Sequence, residues 1–153
     1  MSSPWSQPRS NHPVLIADTG FFYALADRDD AHHARAVAAL EMVKEPLITT
    51  WPVLTEATHL FNARLCAKAS VRFLQAVASG FCAVHALEAA QLRRVAELMA
   101  KYADLPMDLA DASLMLLADH LDEGRILSTD RRDFKTYRFK NRKPFRNVLF
   151  PED

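Results

Sequence analysis

The sequence predicts an α/β fold in three layers, a central parallel sheet of about five strands flanked by helices. Three observations predict it. Short continuous apolar runs, which suit strands buried on both faces, alternate along the chain with longer segments of helical period. A Gly or Pro stands at almost every junction between them. Finally, 153 residues, 50% hydrophobic and 25% charged, suffice for one domain with a full core but not comfortably for two. Such alternation builds βαβ units, whose crossovers make neighbouring strands parallel.

The elements follow in order. Residues 1–13 are polar and Pro/Ser-rich, with no apolar run of a leader peptide, and read as a flexible tail before a single domain at 14–153. Val14-Leu15-Ile16-Ala17 is a buried strand ending at Asp18-Thr19-Gly20. Asp29 or Asp30 is suited to N-cap a helix whose apolar face is Ala34, Val37, Ala38 and Leu40 to Met42, and Pro46 breaks it. Leu47-Ile48-Thr49-Thr50 is a second strand. Pro52 fits the first turn of the next helix, which carries Val53, Leu54, Ala57, Leu60, Phe61 and Leu65. A helix from about Lys68 to Ser79 stops at Gly80, a left-handed C-cap. Phe81 to His85 alternates loosely, as a strand. From about Leu87 to Tyr102, the residues Leu92, Val95, Ala96, Met99 and Ala103 repeat at helical spacing. After Pro106 a helix runs from about Asp108 to Leu121 and is closed by Gly124. Arg125 to Ser128 and Asn147 to Phe150 are the last strands. No glycine falls inside a periodic segment, so each reads as punctuation.

Several function classes are excluded. The longest apolar runs, Phe21 to Ala26 and Leu114 to Ala118, fall far short of the roughly 18–20 residues of a membrane span. Cys66 and Cys82 are two lone cysteines, too few and too far apart for a zinc site or a disulfide framework, so a reducing cytoplasm is expected. The formal net charge is zero, from 19 basic and 19 acidic residues. That sum hides an asymmetry. Arg131, Arg132, Lys135, Arg138, Lys140, Arg142, Lys143 and Arg146 crowd one segment, with Asp133 as its only acid, against an acidic remainder.

The acids fall where chemistry is expected. In an open parallel sheet, ligands bind beyond the carboxyl ends of the strands. Asp18 follows the first strand and Asp130 the fourth, while Glu56, Asp108 and Asp111 lie near helix starts that face the same edge. Carboxylates brought together repel unless a cation or proton neutralises them. Hard oxygen donors of this kind suit Mg²⁺ or Mn²⁺, which keep several waters and need few protein ligands. Each acid also has a purely structural reading. Asp108 is well placed as a helix cap. Asp18 and Glu56 sit in apolar surroundings where an unpaired carboxylate has little structural reason to be.

Four stretches carry a family resemblance. Val14-Leu15-Ile16-Ala17-Asp18-Thr19-Gly20-Phe21-Phe22-Tyr23-Ala24-Leu25 resembles the opening of a PIN domain. Thr55-Glu56, Met107-Asp108-Leu109-Ala110-Asp111-Ala112-Ser113-Leu114 and Leu127-Ser128-Thr129-Asp130-Arg131-Arg132-Asp133-Phe134 match the same pattern in order and spacing. The resemblance covers about Val14 to Phe150 and is to PIN-domain ribonucleases of the VapC toxin type, from type II toxin–antitoxin systems.

It implies a cytoplasmic endoribonuclease dependent on Mg²⁺ or Mn²⁺, cutting RNA by in-line attack of a metal-activated water to leave a 5′-phosphate and a 3′-hydroxyl. By position, Asp18 and Asp111 are implied as direct metal ligands, Glu56 as a ligand or water-orienting group, and Asp130 as the fourth acid. Thr129 and Thr19 are implied as supporting hydroxyls. Asp108, one turn from Asp111 on the same face, competes with it for the ion. Asp133 competes with Asp130, but its place before Phe134 suits a structural role. The resemblance also implies an RNA substrate, a small cognate antitoxin and a homodimer, with Phe61 and Phe73 either at the interface or in the core. Arg131, Arg132, Lys135 and Arg138 are then candidate RNA contacts, with Phe134, Tyr137, Phe139 and Phe145 available for base stacking. The same segment also reads as a solvated connection or as a partner for the acidic body.

Other motifs are weaker. Asp18-Thr19-Gly20 is the aspartic-protease triplet, but that chemistry needs a second copy and β-rich lobes. Glu56 and His59 form one Glu-x-x-His pair where a di-iron site needs two, so His59 is read as a packed or surface histidine. His32-His33 is read as a solvated face. The alternative functions are a PIN-like interaction protein without activity and a phosphohydrolase of haloacid-dehalogenase type. The latter wants an Asp where Gly20 stands.

Overall fold

The computed structural model describes residues 13–153; the expected tail, Pro13 apart, lies outside the described residues. Among the described residues, seven strands and seven α-helices follow in chain order, with a short 3-10 turn at Ala89–Gln91 before α5: β1 (Leu15–Ala17), α1 (Thr19–Ala26), α2 (His33–Met42), β2 (Leu47–Thr50), α3 (Trp51–Arg64), α4 (Ala67–Ala78), β3 (Ala83–His85), α5 (Leu92–Lys101), α6 (Leu109–Leu121), β4 (Arg125–Leu127), α7 (Asp133–Thr136), β5 (Arg138–Phe139), β6 (Lys143–Pro144) and β7 (Arg146–Asn147). Five strands form one parallel sheet in the order β3-β2-β1-β4-β7, and β5 pairs with β6 in a small antiparallel hairpin. This is the expected α/β architecture, with helices on both faces.

The apolar runs become the centre of the sheet because a strand covered on both faces must be apolar throughout. Leu15, Ile16 and Ala17 are buried, as are all four residues of β2 and Ile126 and Leu127 of β4. Ile16 registers with Ile48 on one side and Ile126 on the other. Helix α6 lies in the core, with every residue from Ala112 to Ala118 buried. Phe22, Phe61 and Phe73 pack together at ring separations of 4.9 and 5.2 Å. Phe61 is therefore core, and Phe73, half-buried, packs against it.

Several expectations are corrected. Helix α1 was not foreseen, because Phe21 to Ala26 is apolar on all sides and shows no amphipathic period. Gly20 consequently lies inside a helix rather than between elements; the Thr129 side chain occupies the space a Cβ there would need. Gly124 does not close α6. Asp122 takes the left-handed position at φ 50°, and Gly124 instead lets the Phe139 ring and the Pro144 carbonyl approach. Asp30 makes an Asx turn, accepting from the His32 N–H at 2.8 Å, one turn before α2 begins. The buried face of α2 is Ala36, and Met42 is 81% exposed. In α5 the buried stripe is Val95 and Leu98, continuing to Tyr102, so Leu92 and Met99 face outward. The last strand is Arg146–Asn147; the Val148 N–H still donates to the Ile126 carbonyl of β4 at 2.8 Å, and the chain turns from there to Phe150.

Candidate active site at the carboxyl edge of the sheet

Strand β1 ends at Asp18, whose side chain does two jobs. Its Oδ1 accepts from the Thr19 N–H at 2.7 Å, capping α1, and its Oδ2 accepts from Ser128 Oγ at 2.9 Å. Asp18 is only 7% exposed. Burial pushes its pKa up to about 6, against the opposing pull of these two hydrogen bonds, and the nearby Asp130 and Asp108 carboxyls push it further. Glu56 lies on α3, one turn beyond Pro52 at the helix start. Desolvation raises it to about 7, helped by Asp108, with which a protonated Glu56 hydrogen-bonds. Asp111 is raised to about 8, first by burial and then by the charges of Asp108 and Asp18.

Asp108 and Asp111 also form a reciprocal cap at the start of α6. The Asp111 N–H donates to Asp108 Oδ1 at 2.8 Å, and the Asp108 N–H donates to Asp111 Oδ2 at 3.3 Å. The capping role read for Asp108 is therefore real, and it coexists with proximity to the other acids. Asp130 follows β4; its N–H donates to Ser128 Oγ at 2.9 Å, and its Oδ1 accepts from the Asp133 N–H at 2.9 Å. Asp133 opens α7, which agrees with the structural role expected of it.

All five predicted acids thus come together at the carboxyl edge, from β1, α3, α6 and β4. Ser128 was not singled out in advance, although it lies within the Leu127-Ser128-Thr129-Asp130 stretch. Fully buried, it joins Asp18 to Asp130 through one hydroxyl, and the Asn147 side chain fixes its backbone on both sides at 2.8 and 3.2 Å. The only clue was a small polar residue directly after a buried strand. Thr129, by contrast, turns its hydroxyl against Gly20. Thr19 Oγ1 is buried toward Glu56 and finds no hydrogen-bond partner of acceptable geometry.

The donor set suits a hard divalent cation: five carboxyls, an orphaned buried hydroxyl beside Glu56 and no basic side chain among them. Among the described residues, no three His, Cys, Asp or Glu side chains form a ready-made ligand set. Mg²⁺, which retains several waters, needs only one or two direct carboxylates. The residues fit the ion.

The basic segment is arranged differently. Arg131 is paired with Asp153 and lies over the Phe150 ring at 4.4 Å; Lys135 is 3.9 Å from the same Asp153. Arg138 donates to the carbonyls of Lys135, Thr136 and Tyr137 at 2.7–3.2 Å. Lys140 and Lys143 pair with Asp122. Arg132 is exposed and has no charged partner within salt-bridge distance among the described residues. Phe134, Tyr137 and Phe139 are buried, so the expectation of base stacking by these three rings is overturned; Phe145 packs on Phe134 and is half-buried. Of the histidines, His59 is exposed as expected, whereas His33 is half-buried and its Nδ1 is 2.7 Å from the Ala24 carbonyl oxygen.

Known proteins with similar sequence or fold agree with this picture. The family model described as "PIN domain" matches residues 15–140. Ribonuclease VapC26 of Mycobacterium tuberculosis is 28% identical over 124 residues, covering 81% of this chain and 92% of that protein. The crystal structure of M. tuberculosis VapC20, titled a sarcin-ricin-loop-cleaving toxin, superposes with a TM-score of 0.71 at 20% identity. It covers 77% of this chain and 90% of its own. No described helix is long and apolar enough to cross a membrane.

Proposed function

The chain belongs to the PIN-domain family, and from that premise we propose that it is a metal-dependent endoribonuclease, the toxin of a toxin–antitoxin pair. One observation carries the proposal. Three carboxyls of the edge cluster, Asp18, Glu56 and Asp111, are held well above ordinary carboxylate values by burial and by neighbouring carboxyls, Asp108 above all, and no Lys or Arg among the described residues relieves them. A cluster of that kind is costly to stability and is expected where a divalent ion completes it.

Asp18 and Asp111 would hold the Mg²⁺ or Mn²⁺ ion, with Asp108 beside Asp111 as a further oxygen donor. When bound, the ion neutralises the cluster, polarises the phosphodiester and lowers the pKa of water at the site. Glu56, half-buried beside Asp108, would orient the attacking water and take up its proton. Asp130 borders the cluster and is held through Ser128 in fixed relation to Asp18. Ser128 is a positioning residue: it fixes the Asp18 carboxyl through one oxygen while Thr19 N–H fixes the other. The expected products are a 5′-phosphate and a 3′-hydroxyl, with no covalent enzyme intermediate.

RNA phosphates are met first by Arg132, exposed beside Asp130. Arg131 and Lys135 can join only by leaving Asp153, and Arg138 only by leaving backbone carbonyls. A small antitoxin, the homodimer and a cytoplasmic setting belong to the same proposal. The test is cleavage of a structured RNA by purified protein in Mg²⁺ or Mn²⁺ and in EDTA. Cleavage that disappears in EDTA and in Asp18→Asn supports the proposal; equal cleavage in either sinks it.

A further inference from the structure

Building on the ribonuclease reading, we propose that the cavity beside the acid cluster is a nucleobase subsite, in which the Trp51 indole stacks on the base next to the cleaved phosphodiester. The cavity, about 640 Å³, is lined by Trp51, Glu56, His59, Leu87, Asp108 and Leu109 among others. Its walls come from the same sheet edge as the acids: Trp51 directly follows β2, Leu87 lies just after β3, and Asp108 and Leu109 begin α6. In the sheet order β3-β2-β1-β4-β7, the cavity flanks Asp18 on the β2–β3 side, while Arg132 lies on the β4 side.

Trp51 is 58% exposed and Leu109 is 43% exposed, both on this one cavity. Two large apolar side chains kept in water at a site's rim form an apolar surface awaiting a partner. The chemistry of the lining narrows that partner. It contains two carboxyls and no Lys or Arg, so a phosphate is repelled from the cavity unless an ion sits on those carboxyls. A flat uncharged ring with a π-face is accommodated, and it stacks on an indole whatever its sequence.

Continuity supplies the rest. Glu56 and Asp108 belong both to the acid cluster and to the cavity wall. A phosphodiester held at the cluster must carry a neighbouring base within one nucleotide's reach, and this cavity opens there. The RNA then crosses the edge with its phosphates toward Arg132 and one base against Trp51. A basic peptide is the competing occupant, drawn by the same carboxyls, and the test separates the two.

The chain has two tryptophans, so Trp5→Phe leaves Trp51 as the only indole. In that background, with Asp18→Asn to prevent cleavage, short single-stranded RNA is expected to quench Trp51 fluorescence saturably, whereas the same RNA with abasic sites and inorganic phosphate are not. In the otherwise wild-type enzyme, Trp51→Ala is expected to raise KM about 5- to 150-fold with kcat little changed, and Trp51→Phe to restore most of the loss. The exposed position keeps folding unaffected, checked by circular dichroism.

Wild-type cleavage without quenching, with unaltered KM in Trp51→Ala, or with equal quenching by abasic RNA overturns the subsite and leaves the ribonuclease reading standing. Quenching by a basic peptide but not by RNA overturns it too, as does shielding of Trp51 from iodide by self-association. If the wild type cleaves no RNA, the activity reading fails and the subsite loses its cleaved phosphodiester; saturable quenching by RNA then supports only base binding at Trp51, and its absence overturns that as well.

Discussion

The carboxyl edge of the sheet and the basic segment from Arg131 to Arg146 carry opposite charge, and they differ more in how that charge is balanced. In the basic segment, the chain supplies partners: Asp153 for Arg131 and Lys135, Asp122 for Lys140 and Lys143, carbonyl oxygens for Arg138. At the edge, acids face acids. The hydrogen bonds there come from backbone N–H groups and from Ser128, and they orient the carboxyls without removing their charge. The basic segment is thus partly paired, with Arg132 left exposed, whereas the edge carboxyls have no described cation beside them, an imbalance that a bound cation would relieve. Density of charge alone pointed to the basic segment; the balance of charge points to the edge.

The largest expected effect breaks the edge directly. Asp18→Asn should lower kcat/KM for RNA by about 10²–10³-fold or more, the range seen when one electrostatic partner of a reacting centre is removed. The same change should stabilise the metal-free fold. A shift from 3.8 to about 6 corresponds to about 3 kcal/mol in favour of a neutral group. With some loss at the Ser128 contact, a gain of about 1–3 kcal/mol at pH 8 is expected in denaturant melts. Loss of both activity and stability would mean that Asp18 serves mainly the fold.

The next effect is a pH dependence. Asp18, Glu56 and Asp111 are raised to about 6, 7 and 8 in the folded protein, so it holds protons that the unfolded chain has released. Raising pH therefore favours unfolding, from the ordinary carboxylate values of 3.8 and 4.5 up to completion near pH 8. Thermal melts of the metal-free protein should show stability falling across that window. Mg²⁺ should restore it at pH 8 and do little at pH 5. A profile flat from pH 5 to 8 would deny that the edge is unbalanced.

Packing sets the third. Gly20→Ala puts a methyl into the Thr129 side chain, which belongs to the loop carrying Asp130. A cost of about 1–3 kcal/mol is expected from overpacking, with a loss of cleavage larger than the loss of stability explains. The smallest effects belong to the balanced region. Arg131→Ala should leave stability nearly unchanged in denaturant melts, because the Arg131 side chain is largely exposed and its pair with Asp153 is screened by solvent. In the salt dependence of RNA binding, Arg132→Ala should flatten the log–log slope by about 0.7 while Arg131→Ala leaves it nearly unchanged.

Much of this comparison was legible in the sequence, for identifiable reasons. The strands at Leu15, Leu47 and Arg125 were readable because doubly covered strands are apolar without interruption, and their ends marked where Asp18 and Asp130 would meet. Helix α1 was not readable, because burial on all sides erases the period that announces a helix. The phase of α5 was misread for the opposite reason: Leu92 and Met99 keep the period but face solvent. Ser128 escaped notice because its role depends on the approach of β1 and β4, 110 positions apart along the chain. The fate of the basic run was equally non-local. Nothing near Arg131 in sequence announces Asp153 as its partner, nor that Phe134 and Tyr137 turn inward.

The central claim is that the carboxyl edge awaits a divalent cation, and calorimetric titration of Mn²⁺ into the metal-free protein at pH 7.5 tests it most directly. The account predicts saturable binding of one or two ions with release of protons from the raised carboxyls, abolished by Asp18→Asn together with Asp111→Asn in a variant that remains folded. No binding by the wild type, or equal binding by that variant, would contradict it.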